Sequence, residues 1–381
     1  MKLRKNLLIM LVCVLTFLCG GCGKQPDSVP GETDKDVKKE MIIAIVTSPG
    51  GIDDASFNQT VYEGIQQFIS ENEGAEVTHI QETDIDTSVP AVEKIVDDYD
   101  VIVVPGFQFG PVGAIAATHP DRKFILVDEF ALDEDGNQVD DLKNMCGLKF
   151  AEQESGFLAG IAAVLETKTD KVAVVNGVAF PPNVNYQYGF EAGVHYANKK
   201  YDKDVELVEL AEYAGTDITN ENVGGNYIGG FDDPEAGGVL AGKLMRKGVD
   251  ILFVAAGNSG NGVIDAAKEM KNVMVIGCDV DQFDSGAADD RNVILTSAVK
   301  CMDKSVYQQL NAIKNGAFEG GNHIMTAGTD SIGIIVEEGR HQMGDGTVEA
   351  VTDAYEKLKD GTVVPPQNFS EDATPESFPG L

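Results

Sequence analysis

Asp279 stands at the carboxyl end of an apolar, β-branched run (273–277), where ligand-binding loops converge in open α/β sheets. The segment Asp279-Val280-Asp281 has carboxylates that suit Ca²⁺, but the further ligands and the Glu of an EF-hand are missing. Gly257-Asn258-Ser259-Gly260-Asn261-Gly262 follows another apolar run and precedes a helical pattern. A glycine-rich loop there can present backbone N–H groups to an anion or a hydroxyl. Its spacing is not that of a dinucleotide fingerprint, and no Gly-Lys-Ser/Thr follows to make a phosphate loop. Ser259 lies outside any nucleophile-elbow pattern. His79, His119, His195, His323 and His341 are scattered, with no metal-binding pair among them. Acidic doublets such as Asp53-Asp54, Asp232-Asp233 and Asp289-Asp290 read as helix N-terminal charges or solvated loops. Cys146, Cys278 and Cys301 are odd in number without a CxxC, and read as buried free thiols. No nucleophile–base pair, metal set or cofactor signature emerges, so the sequence points to binding without catalysis and without a cofactor.

These residues have to be held by a repeating pattern. Short apolar runs at 41–47, 101–105, 123–128, 171–176, 205–212, 250–255, 273–277, 293–297 and 331–336 predict strands. Between them, helical spacing covers 56–70, 110–118, 152–166, 184–198, 234–247, 261–270, 302–315 and 347–360. Nearly continuous apolar strands alternating with helices mean parallel sheets covered on both faces. The units are too many for one sheet, so two doubly wound, Rossmann-like lobes joined by a hinge are expected. The expected lobes are 41–148 plus 298–325 and 149–297 plus 326–365, with a fraying tail at 366–381. Loops from both lobes then line one cleft.

The chain has 381 residues, 43% hydrophobic and 24% charged, a globular composition. Twenty-nine basic against 62 acidic residues give a net charge of −33, which repels phosphate backbones and argues against nucleic acid as a partner. The absence of Trp weighs against a sugar-only ligand. Lys2, Arg4 and Lys5 precede an apolar stretch (7–18) too short to span a bilayer comfortably, as in a secretory signal. The following Leu18-Cys19-Gly20-Gly21-Cys22 resembles a lipobox, with Cys19 in place of the usual apolar residue. The expected organisation is a signal peptide at 1–21, a lipidated Cys22, and a polar tether at 22–40. An ordinary cleaved signal is the alternative.

Several strand-end blocks together resemble one family. Gly50-Gly51-Ile52-Asp53-Asp54-Ala55-Ser56-Phe57-Asn58-Gln59 is similar to a signature of the basic membrane protein (BMP) lipoproteins. Ser155 to Gly160, Gly189 to Val194, Ala256 to Val263, Val275 to Gln282 and Leu295 to Lys300 match the same family in the same order. The resemblance implies a type I periplasmic-binding-protein fold and the substrate-binding lipoprotein of an ABC importer for nucleosides, chiefly purine. It implies that Phe57 and Phe231 stack on opposite faces of a base and that Asn58 reads its edge. Tyr186 falls where the family often has another aromatic wall. Gly257, Asn258 and the rest of that loop, with Asp279 and Lys300, are implied to hold ribose hydroxyls, with Asp279 and Lys300 balancing each other's charge. Ser48 stands where the purine receptors carry an Asp that reads the base edge. Residues 214–225, rich in Gly and Asn, look like an insertion, either a lid or a surface loop.

The implied partners are a nucleoside, the permease and ATPase subunits, and the membrane through the lipid anchor. The expected location is the extracytoplasmic face of a bacterial cell membrane, as a monomer. Rival readings are the same fold binding a pentose, a regulatory lipoprotein, and a nucleoside hydrolase. The anchor is directly testable. Cys22→Ala should release the protein from membranes or block its processing, because firm attachment needs a multiply acylated residue. Wild-type protein found free in the medium with an unmodified N-terminus would refute the anchor.

Overall fold

The structure, a computed structural model, describes residues 41–367, and these belong to one compact unit. The expected signal, Cys22, the tether and most of the expected tail lie outside the described residues. In chain order the strands are β1 (Met41–Thr47), β2 (Ala75–Gln81), β3 (Val101–Pro105), β4 (Lys123–Val127), β5 (Met145–Phe150), β6 (Lys171–Asn176), β7 (Glu206–Leu207), β8 (Gly215–Thr216), β9 (Asn222–Gly224), β10 (Ile251–Ala255), β11 (Met274–Asp279), β12 (Ile294–Lys300), β13 (Gly321–Met325) and β14 (Ile332–Ile334). The helices are α1 (Phe57–Glu71), α2 (Ser88–Ile95), α3 (Val112–Thr118), α4 (Glu152–Glu166), α5 (Pro181–Tyr201), α6 (Pro234–Arg246), α7 (Gly257–Lys268), α8 (Met302–Lys314) and α9 (Asp345–Lys359).

Two six-stranded sheets result, in the orders β13-β5-β4-β3-β1-β2 and β14-β12-β11-β10-β6-β7. All pairings in them are parallel except that of the edge strand β14. Each sheet is buried on both faces, as its unbroken apolar strands require. In the first, Ile43 and Ile45 face α1 and α8, while Ala44 and Val46 face α2 and α3. In the second, Val172 and Val174 face α4, α5 and α9, while Ala173 and Val175 face α6 and α7. The α/β architecture of two parallel-sheet lobes is therefore as the sequence predicts.

The chain crosses between the sheets three times, after Phe150, Lys300 and Met325. β12 runs past the expected Ser297 to Lys300, and 145–150, read as the break between lobes, is a strand of the first sheet. Three further differences have simple causes. β2 and α2 escape the pattern because β2 alternates exposure with partial burial and α2 is only two turns long. The strand expected over 205–212 shrinks to Glu206–Leu207, a sheet edge. Residues 214–225 form a small hairpin, β8–β9, and none of them lines the cavity described below, so they are a surface element and not a lid.

The blocks around Gly156, Gly160, Gly189 and Gly193 make α4 and α5 pack backbone to backbone. A Cβ on Gly160 would meet the Phe190 carbonyl at 2.3 Å, and one on Gly193 the Phe157 carbonyl at 2.2 Å. This contact builds the core of the second lobe beneath the ligand-facing end of α5. Gly193→Ala should therefore destabilise by about 1–3 kcal/mol, the cost of overpacking. Gly346→Ala, where a Cβ meets nothing within 4 Å in the first turn of α9, should be neutral or stabilise by up to ~1 kcal/mol. Denaturant melts of the two variants check the contrast.

Candidate functional site

The carboxyl ends of both sheets face one cavity of about 370 Å³ between the lobes. Ser48 enters it from the end of β1, Phe57 and Asn58 from the start of α1, Phe231 from the loop before α6, and Asp279 and Lys300 from the ends of β11 and β12. Tyr186 and Gly257 also line it. Asn258 does not. It donates to Asp232 Oδ1 at 2.6 Å and accepts from Asn261, so its amide is spent at the rim. The glycine-rich segment expected as a loop is the first turn of α7. Its Gly262 admits close packing, since a Cβ there would fall 1.7 Å from the Pro234 carbonyl.

The start of α1 is fixed by Asp54. That buried carboxylate accepts from the backbone N–H groups of Ser56, Asn58 and Gln59 and from Asn58 Nδ2 at 2.9 Å. Burial pushes its pKa up, and those four hydrogen bonds pull against it. Asn58 Nδ2 also donates to Ser48 Oγ at 3.1 Å, and Asn58 Oδ1 lies 3.5 Å from the same hydroxyl, so Asp54 and Ser48 together set the amide.

Asp279 does not pair with Lys300, contrary to the expectation from the sequence. It accepts from Ser56 Oγ at 2.8 Å and from the Tyr186 hydroxyl at 3.2 Å. Lys300 donates instead to both oxygens of Asp128, at 2.7 and 2.8 Å, and lies 3.3 Å from Glu152 Oε1. The ammonium is almost fully buried, with 2% of the residue exposed. Burial alone would lower its pKa, but Asp128, Glu152 and Asp279 more than reverse this and hold it charged. Its Nζ also lies 5.1 Å from the centroid of the Phe57 ring, a cation–π distance.

Aromatic groups collect at the other lining surfaces. Phe107, Phe180 and Phe231 run in series, with ring centroids 5.7 and 6.1 Å apart. Phe231 sits against Gly177, where a Cβ would strike its ring at 2.3 Å. Phe107 comes from the first lobe and Phe180 from the second, so this contact bridges the cleft. Besides the Lys300–Asp128 ion pair, three polar contacts do the same: Ser56 to Asp279, Gln282 Nε2 to the Ala55 carbonyl at 3.1 Å, and Asn261 Nδ2 to the Asp54 carbonyl at 3.3 Å.

Sequence reasoning missed Asp128, Glu152, Ser56, Phe107 and Phe180. The rule that singled out Asp279, a carboxylate closing an apolar strand, applies equally to Asp128. Both take left-handed backbone conformations, φ 72° and 67°, which cost a non-glycine residue about 1–3 kcal/mol and cluster at ligand sites. Glu152, the first residue of α4, reads as an ordinary helix N-terminal charge. Among the described residues no group of three His, Cys, Asp or Glu could hold a metal, and no helix is long and apolar enough to cross a membrane.

What the site can do is bind a small ligand that offers both a flat face and hydroxyl groups. The chain matches the family described as ABC transporter substrate-binding protein PnrA-like, over residues 41–216 and 211–367. It is 30% identical to the CD4+ T-cell-stimulating antigen of Listeria innocua, with 95% of this chain and 98% of that protein aligned. It is 27% identical to the ABC transporter nucleoside-binding protein BmpA of Lactococcus lactis, over 96% and 99% of the two chains. The solute-binding protein of an ABC transporter system from Aeropyrum pernix shares the fold, with a TM-score of 0.71, 23% identity and 87% and 95% of the chains covered. The chain therefore belongs to the PnrA-like family of ABC transporter substrate-binding proteins, which bind solutes and are not enzymes.

Proposed function

We propose that this protein binds nucleosides between its lobes and delivers them to the permease and ATPase subunits of an importer, as a monomer held at the extracytoplasmic face of the cell membrane by a lipidated Cys22. The observation that carries the reading is the cavity itself. Half-buried phenylalanines from both lobes share about 370 Å³ with a buried set of carboxylates and one ammonium. Aromatic faces suit a base, and carboxylates suit ribose hydroxyl donors. The name of the Lactococcus relative supports the same ligand class.

In this reading Phe57 and Phe231 stack on the base, with Phe107 and Phe180 extending the aromatic surface. Asn58 and Ser48 meet its edge with a carbonyl and a hydroxyl in place of a charge. Asp279 accepts from ribose while its bond to Ser56 ties the lobes together and its bond to Tyr186 orients it. Lys300 acts through Asp128, orienting that carboxylate toward the sugar. The lobes close around the solute by rotation about the three crossovers, and the closed form docks on the permease.

Calorimetry with nucleosides, free bases and ribose tests the reading. Nucleosides should bind, and ribose alone should bind poorly. Ribose binding as tightly as adenosine or inosine would favour the pentose alternative. Phe231→Ala should remove one stacking surface, worth roughly 1–3 kcal/mol, so affinity should fall ~5- to 150-fold. Asp279→Ala should weaken nucleosides more than free bases, since only nucleosides carry the sugar. Equal losses for both would refute the sugar role of Asp279.

A further inference from the structure

The buried cluster holds more negative charge than one ammonium can balance. Asp128, Glu152 and Asp279 surround Lys300, and each is at most 8% exposed. The cluster also straddles the lobes. Lys300 ends β12 and Glu152 opens α4, both in the second lobe, whereas Asp128 follows β4 in the first. In the proposed function the lobes part to admit a ligand. Opening carries Asp128 away from Lys300 and leaves Glu152 as the carboxylate in reach of the ammonium. Closing brings Asp128 back, and it takes the two short contacts, at 2.7 and 2.8 Å, while Glu152 is left at 3.3 Å.

We propose that closure of the cleft makes Glu152 take up a proton from solvent, so that ligand binding is linked to pH and release is favoured as pH rises. For the choice of ligand this rests on the nucleoside reading; the proton uptake itself does not. The surroundings of Glu152 leave it the carboxylate that gives way. From β12 it faces Lys300, from the end of β4 Asp128, and from α5 Asn185 and Tyr186, and Tyr186 in turn meets Asp279 and Cys278 of β11. Burial pushes Tyr186 and Cys278 well up, so both stay neutral, and Lys300 stays charged. Burial raises Asp128 as well, but that carboxylate holds the ammonium through both oxygens. Glu152 keeps the longer contact, an Asn185 Nδ2 donor at 3.0 Å and a hydrogen bond from its own backbone N–H. Burial pushes it up to about 7, with Lys300 opposing and Asp128 adding to the rise.

A group whose pKa rises on closure favours the closed form most fully below its open-form pKa, and that advantage is lost as pH rises through its closed-form pKa. Affinity should therefore be greatest below pH 7 and decline as pH rises through about 7. Between pH 6 and pH 8 the fall should be about tenfold. Calorimetry of inosine binding at pH 7, in buffers of different ionisation heat, should show proton uptake by the wild type and none by Glu152→Gln. The glutamine keeps an acceptor for Asn185. Ligand-induced infrared difference spectra should show a protonated carboxyl band that the variant lacks. Small-angle scattering without ligand should find the wild type more compact at pH 6 than at pH 8, and Glu152→Gln unchanged between them. If Glu152→Gln does not fold, Asp128→Asn serves, since it returns Lys300 to Glu152 and should abolish uptake. Absence of uptake in the wild type, or uptake undiminished in these variants, would overturn the proposal. If no nucleoside binds at all, the nucleoside reading fails while the scattering comparison still decides the proton.

Discussion

The buried ammonium of Lys300 is the constraint around which the cleft is built. Removing such a charge from water costs several kcal/mol, and a buried ion pair repays that only with close geometry and saturated hydrogen bonds. Here the repayment comes from chain segments far apart in sequence: Asp128 follows β4, Glu152 opens α4, and Lys300 closes β12. Two of these, Glu152 and Lys300, flank crossings between the lobes. The crossing segments cannot shift without disturbing the ion cluster, so the electrostatics of one side chain help set how the lobes meet.

The second constraint is close packing behind the cleft. Glycines on α4 and α5 let the two helices approach until backbone touches backbone, and the same device seats α7 against the start of α6 through Gly262. Tyr186 and the start of α5 thus sit on a foundation with little room for adjustment. Side chains that aim at a ligand are accurate only when their supporting shell is fixed, and that is the physical content of the glycine-bearing blocks.

The periodic signal made the lobes legible in the sequence. Runs such as 41–47 and 171–176 are apolar on both faces and have only one sensible fate. Asp279 and Gly257 stand out in the sequence as a strand-end carboxylate and a glycine-rich segment, whereas Ser48, Phe57, Asn58, Tyr186, Phe231 and Lys300 follow from the family resemblance, and all eight line the cavity. What failed was pairing. Sequence order brings Asp279 near Lys300, but the partner of Lys300 is Asp128, 172 positions away. Charge complementarity names what a buried lysine needs without naming which carboxylate supplies it. Asn258 failed for a related reason: a polar residue in a glycine-rich turn looks available until its neighbours Asp232 and Asn261 are seen to occupy it.

The two sheets repeat one another strand for strand, and the repeat explains both the site's economy and its asymmetry. β4 and β11 hold the same place in their sheets, and each ends in an aspartate with left-handed backbone, Asp128 and Asp279. One duplicated geometry thus sends two carboxylates into the cavity from opposite lobes. The next strand in each sheet breaks the equivalence. β12 ends in Lys300, whereas its counterpart β5 ends in Phe150, whose ring lies 5.4 Å from the Lys300 ammonium. A single cation is therefore shared unequally. It is committed to Asp128 across the cleft, while Asp279 receives only the neutral hydroxyls of Ser56 and Tyr186. Neutral donors leave a carboxylate its full charge and spare lone pairs. The symmetric scaffold thereby yields one aspartate committed to the ammonium and one that retains acceptor capacity in the cavity.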